Sequence, residues 1–197
     1  MLCHNKGVVK AVIFDFFGVI CSDEYWDFIK SADEISGDFL PLSEAVNLGK
    51  ISWADFVNRL SSKTGKSVPE LLAGYESQKL NPQLLAFIEK LHVRYKTGLI
   101  TNASRETIER LTRDTNISQY MDAIIISSDV GVIKPDLKIY QLALQKLAVE
   151  PEECVFIDDS MKHITSAQQI GMNTILYRNF GQMKAELARL LSAKADN

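Results

Sequence analysis

Asp15 closes the apolar run Val12-Ile13-Phe14, and Asp158 and Asp159 close a second one, Val155-Phe156-Ile157. A carboxylate at the end of such a run can act as a nucleophile towards an anionic substrate if a cation offsets the repulsion between them. Two neighbouring carboxylates offer the hard oxygen ligands that Mg²⁺ prefers. Thr101 and Asn102 follow Leu99-Ile100, and Lys134 precedes Pro135 in GVIKPDLKIY. Each residue also has an ordinary role open to it. Asp15 could cap a loop or helix, Asp158 and Asp159 could form an N-cap pair, and Lys134 could be a solvated loop charge. Thr101 or Asn102 could cap the helix that follows them, with Ser104 a competitor.

The elements that must position these residues alternate in type. AVIF, TGLI, AIII, CVFI and TILY are short, continuous apolar runs rich in β-branched residues, the pattern of strands buried on both faces. Helical periodicity lies between them, as in Tyr140, Ala143, Leu144, Leu147 and Ala148, or from Met161 to Ile170 before Gly171. Strands alternating with helices predict an α/β fold with a doubly wound, mostly parallel sheet, because parallel neighbours need right-handed crossovers. Ligands of such sheets bind at the carboxyl ends of the strands, which would bring Asp15, Thr101 and Asp158 to one rim. The span from about Ser22 to Gln78 interrupts the alternation. It has no β-rich run but carries the helical face Trp53, Phe56, Val57, Leu60 behind a Ser52/Asp55 capping pair. Asn81 and Pro82 then open the next helix as N-cap and first turn.

Composition narrows the function. A chain of 197 residues, 46% hydrophobic, suits one domain or a domain with a modest insertion. A formal net charge of -3 leaves no basic footprint for nucleic acid, and no polybasic run or long apolar segment points to a membrane. Cys3, Cys21 and Cys154 are odd in number and lack C-x-x-C spacing, so they read as reduced thiols, not a disulfide framework or zinc site. The first residues hold no signal-peptide pattern, which makes a cytoplasmic protein the expectation.

Taken in chain order, Asp15 after VIF, Thr101-Asn102 after LI, Lys134-Pro135 and Asp158-Asp159 resemble the four motifs of the haloacid dehalogenase superfamily. The resemblance covers most of the chain. It implies a Rossmann-like core of residues 1–21 and 79–197, with a small helical cap of residues 22–78 inserted between the first and second motifs. It also implies a Mg²⁺-dependent hydrolase, a phosphatase of small phosphorylated metabolites in which Asp15 is the nucleophile. The metal would be held by the Asp15 side chain, the Phe17 backbone carbonyl and Asp158, with Asp159 close by or acting through water. Lys134 would face both nucleophile and phosphoryl oxygens, and Thr101 and the backbone around Asn102 would bind the transferred group.

Phe17 departs from the pattern. The family's phosphatases carry an aspartate there that protonates the leaving oxygen and later activates water; phenylalanine does neither. General acid–base help is typically worth about a hundred- to ten-thousand-fold, so activity should be low and should depend on the leaving group. One alternative is a metal-independent 2-haloacid dehalogenase, whose equivalent position is also non-acidic and whose nucleophile attacks carbon. The Asp158-Asp159 pair counts against it, since an anionic carboxylate substrate gains nothing from two more negative charges. A second alternative is a non-catalytic phosphate- or partner-binding protein. His4, His92 and His163 show no ligand-like mutual spacing and are expected to be surface or partly packed residues outside the chemistry. Cys21 reads as a packed thiol, and Trp26, Trp53 and Tyr75 as apolar core of the helical insertion.

Overall fold

The computed structural model describes residues 8–22 and 39–192. Strands β1 (Ala11–Phe14), β2 (Lys96–Thr101), β3 (Ala123–Ile126), β4 (Cys154–Asp158) and β5 (Asn173–Leu176) form one parallel sheet in the order β3-β2-β1-β4-β5. The α/β, doubly wound architecture is the one expected, and the apolar runs are its strands. The last run is displaced: the strand begins at Asn173, and Tyr177 lies beyond its end.

All residues of β1 and β4 are buried because helices cover both sides of the sheet. Successive strand residues point to opposite faces. Val12 and Phe14 therefore pack in one layer with α4 (Pro82–His92), α5 (Arg105–Thr112) and α9 (Phe180–Ser192). Ala11 and Ile13 pack in the other layer with α7 (Leu137–Leu147) and α8 (Met161–Gln169). Phe156 joins the second layer edge-on to Tyr140, with ring centroids 5.3 Å apart. Asn81 caps α4 as expected, its Oδ1 accepting the N–H groups of Gln83 and Leu84. Ala148 does not continue the buried face of α7. It is exposed, in the left-handed conformation at φ 49°, and ends the helix.

The chain lays β2 and β3 outward from one edge of β1, then returns to place β4 against the other edge. The strand order reverses at β1, so the carboxyl ends of β2, β1 and β4 flank one crevice.

Between β1 and α4, helices α1 (Phe39–Asn47), α2 (Trp53–Thr64) and α3 (Val68–Glu76) bury an apolar cluster of their own. Trp53 stacks on Phe56 at 5.2 Å and tilts against Tyr75 at 4.7 Å, as expected of core aromatics. Ser52 caps α2 by accepting the Asp55 N–H, and Ser67 with Glu70 completes a capping box on α3. Trp26, Cys3 and His4 lie outside the described residues. No helix among the described residues is long and apolar enough to cross a membrane.

These helices are tied to the sheet at a short helical turn, α6 (Ser127–Val130), directly after β3. Ser127 is buried; its hydroxyl donates to the Asn47 carbonyl at the end of α1 (2.6 Å) and accepts the Ala103 N–H (3.0 Å). Ser127→Ala strips both partners at once, and a buried unsatisfied group costs about 1–3 kcal/mol. We expect a loss of stability of that size, read as a lower urea midpoint with an unchanged m-value.

Candidate active site

The crevice holds a buried charge cluster. Lys134 Nζ lies 2.7 Å from Asp15 Oδ1 and 2.7 Å from Asp158 Oδ2, and all three side chains are almost fully enclosed. Ions of this kind survive burial only when paired and hydrogen-bonded. Asp15 sits one residue beyond β1, where its N–H still donates to the Ile157 carbonyl (2.8 Å) and its Oδ1 accepts the Phe16 N–H (2.6 Å). Asp158 ends β4, and its Oδ1 accepts the Ser160 N–H at 2.8 Å. The Lys134 ammonium also lies 5.6 Å from the centre of the Phe156 ring, a cation–π contact from beneath.

Asn102 holds the lysine loop in place. Its Oδ1 accepts the Lys134 N–H (2.7 Å) and its Nδ2 donates to the Lys134 carbonyl (3.0 Å). The side chain of Asn102 is thus a brace between the end of β2 and the loop before α7, a role its residue type alone did not reveal. Lys134 is not a solvated loop charge: its side chain is 1% exposed. Ser104 takes the cap of α5, its Oγ accepting the Thr107 N–H, so neither Thr101 nor Asn102 is spent as a cap.

Thr101 is fully buried, and its Oγ1 has no hydrogen-bond partner. With Trp53 Nε1 it is one of the buried side-chain polar atoms left unsatisfied among the described residues. An orphaned buried hydroxyl costs about 1–3 kcal/mol, which a ligand oxygen at the end of β2 would recover.

The charges of the cluster are uneven. Burial pushes the Asp15 carboxyl well above the ordinary carboxylate range, with Lys134 opposing and Asp158 adding to the rise. Burial opposes ionisation of Asp158 too, but Lys134 and then His163 outweigh it and hold this carboxyl below its ordinary range. The Lys134 ammonium is disfavoured by burial, yet Asp15 and Asp158 together raise its pKa.

His163, expected to lie outside the chemistry, is in contact with it. Its Nδ1 lies 3.0 Å and 3.1 Å from the two oxygens of Asp158. Spacing among the histidines could not reveal this; the available signal was its place in the first turn of α8, five residues after Asp158. Ligand atoms of Asp15, Asp158 and His163 all lie within 4.8 Å of one another, two oxygens and a nitrogen that suit one divalent ion.

Asp159 is exposed and not part of that group. Its carboxylate instead covers Gly18, where φ is +75° and a Cβ would clash with Asp159 Oδ2. Phe17 is half-buried. It packs edge-on to Phe16 at 5.0 Å, touches both the sheet layer and the helical cluster, and lines a cavity of about 20 Å³ with Phe39, Trp53 and Tyr75. Cys21 is a packed thiol, as expected.

Residues 9–171 match the haloacid dehalogenase-like hydrolase family. The phosphorylated carbohydrates phosphatase of Thermotoga maritima is 30% identical over 191 residues, covering 85% of this chain and 84% of that protein. A HAD family enzyme from Bacteroides thetaiotaomicron, solved with magnesium and inorganic phosphate, superposes with a TM-score of 0.74 at 20% identity over 86% of this chain and 94% of its own. The L-2-haloacid dehalogenase of Xanthobacter autotrophicus, with chloropropionic acid covalently bound, gives 0.66 at 19% identity over 95% and 84% of the respective chains. At these identities both structures speak to the fold alone. Several other curated relatives are much longer, and the chain spans only 24–30% of their length.

Lys134→Met removes the cation between two buried carboxylates. Breaking a buried pair from one side costs about 3–5 kcal/mol. We expect a destabilisation of that order in chelator-treated protein, measured by urea unfolding.

Proposed function

We propose that this chain, which belongs to the haloacid dehalogenase-like hydrolase family, is a Mg²⁺-dependent phosphatase of small phosphorylated metabolites that works through an aspartyl-phosphate on Asp15. The observation that carries this reading is the buried Lys134 shared by Asp15 and Asp158, beside the orphaned Thr101 hydroxyl. A phosphatase relative that matches most of the chain supports it, as does a fold neighbour that binds magnesium and phosphate.

Mg²⁺, held by the carboxylates of Asp15 and Asp158 with the Phe17 carbonyl and with Asp159 at its edge, would supply positive charge to the phosphoryl group. Asp15 Oδ1 is already engaged by Lys134 and the Phe16 N–H, which leaves Oδ2 for attack. The Oδ2–P bond forms as the bond from phosphorus to the leaving oxygen breaks, and that oxygen takes a proton from solvent. Water then attacks the same phosphorus and gives its proton to solvent. The Oδ2–P bond breaks, inorganic phosphate departs and the Asp15 carboxylate returns. Lys134 and the Thr101 hydroxyl, together with the backbone amide near Asn102, offset charge spreading over the phosphoryl oxygens; one such donor is commonly worth about a hundred- to a thousand-fold in rate. Residues 22–78 act as a cap on a core of residues 1–21 and 79–197, and the self-contained apolar cluster of α1, α2 and α3 supports that division. We place the enzyme in the cytoplasm, without a nucleic-acid or membrane partner.

Phe17 favours a second reading, halide release from a 2-haloacid, and the Xanthobacter autotrophicus fold neighbour is in keeping with it.

A series of alkyl, aryl, acyl and sugar phosphates, assayed with Mg²⁺ or with chelator, separates the readings. We expect phosphate release that chelator abolishes and that is fastest for the best leaving groups. Phe17→Asp should raise turnover of alkyl phosphates by up to about a hundred- to ten-thousand-fold and leave aryl phosphates nearly unchanged. Halide release in chelator supports the second reading. No phosphate release from any substrate with Mg²⁺ overturns the first.

A further inference from the structure

His163 is the member of the site for which the steps above have no use, and its geometry is specific. Nδ1 is nearly equidistant from both oxygens of Asp158, at 3.0 Å and 3.1 Å. Those oxygens are already served: Oδ1 accepts the Ser160 N–H and Oδ2 faces Lys134. A bare imidazole lone pair repels a carboxylate, so a positive particle must lie between them. It is either the proton on Nδ1 or a cation bound by both groups. The ring is 19% exposed, so an ion has a path from solvent, and the Tyr140 hydroxyl fixes the first turn of α8 by donating to the His163 carbonyl at 3.1 Å.

We propose that His163 is a further, nitrogen ligand of the divalent ion and that the site, while able to work with Mg²⁺, therefore binds Mn²⁺ or Co²⁺ more tightly. This rests on the metal-dependent reading of the crevice. An ion about 2.1 Å from each donor brings any two of them within about 4.2 Å. The 4.8 Å spread of the Asp15, Asp158 and His163 ligand atoms thus needs only slight closure. Mg²⁺ prefers an all-oxygen shell, whereas imidazole is a ligand for the first-row transition ions, whose affinity for mixed nitrogen and oxygen sites rises from Mn²⁺ to Co²⁺. Asp15 and Asp158 alone would discriminate only weakly in that direction; the imidazole enlarges the difference.

The test is pulsed EPR on the full chain loaded with Mn²⁺, beside calorimetric titration with Mg²⁺ and Co²⁺. The wild-type protein should show ¹⁴N coupling of directly bound imidazole, replaced by ¹⁵N coupling when histidine is ¹⁵N-labelled. His163→Asn keeps a polar side chain and should abolish the coupling. It should weaken Co²⁺ binding by about tenfold or more while changing Mg²⁺ affinity far less, a loss in the range typical of altered metal environments. Bound Mn²⁺ without nitrogen coupling, or equal losses for both ions, overturns the assignment and leaves the phosphatase reading standing. Failure of every divalent ion to bind the wild type overturns both. Should His163→Asn fail to fold by circular dichroism, the isotope-labelled wild-type spectrum decides alone.

Discussion

A lysine enclosed between two aspartates is the constraint on which this molecule is organised. Lys134, Asp15 and Asp158 come from separate stretches of chain and meet where water is nearly excluded. Desolvating each of these groups costs several kcal/mol, and their attraction repays that only with good geometry and satisfied hydrogen bonds. The surroundings meet that demand with backbone N–H groups at Phe16 and Ser160, the Asn102 clamp on Lys134 and the Phe156 ring beneath the ammonium. The sheet can be apolar throughout because its polar requirements are gathered at the ends of β1, β2 and β4.

This arrangement also explains why Phe17 does not dismantle the site. The charged cluster is supported from the sheet and from the Lys134 loop, whereas the Phe17 ring leans towards the apolar cluster of α1, α2 and α3. Phe17, where the family resemblance leads one to expect an acidic residue, is an apolar contact between the sheet layer and the helical cluster. Binding and electrostatic parts can remain while acid–base help is lost, since they depend on different atoms.

His163 adds a nitrogen at the end of β4, beside Asp158. Its Nδ1 lies against both oxygens of Asp158 and, with Lys134, helps hold that carboxyl below its ordinary range.

The strands were legible because buried parallel strands read as continuous β-branched runs, and Asp15, Thr101 and Asp158 were legible because those runs end at them. The cap of α2 and the opening of α4 were equally visible, since Ser52/Asp55 and Asn81-Pro82 are local chemistry. Chain order alone also determined that the sheet is parallel, because helical stretches separate the strands. Tertiary structure decided what each rim residue does. It made Asn102 a brace and left the Thr101 hydroxyl unpartnered. It also turned Asp159 towards Gly18 and brought His163 onto Asp158. These outcomes depend on distances between side chains set by the packing of separate elements, and residue types along one chain carry no measure of such distances.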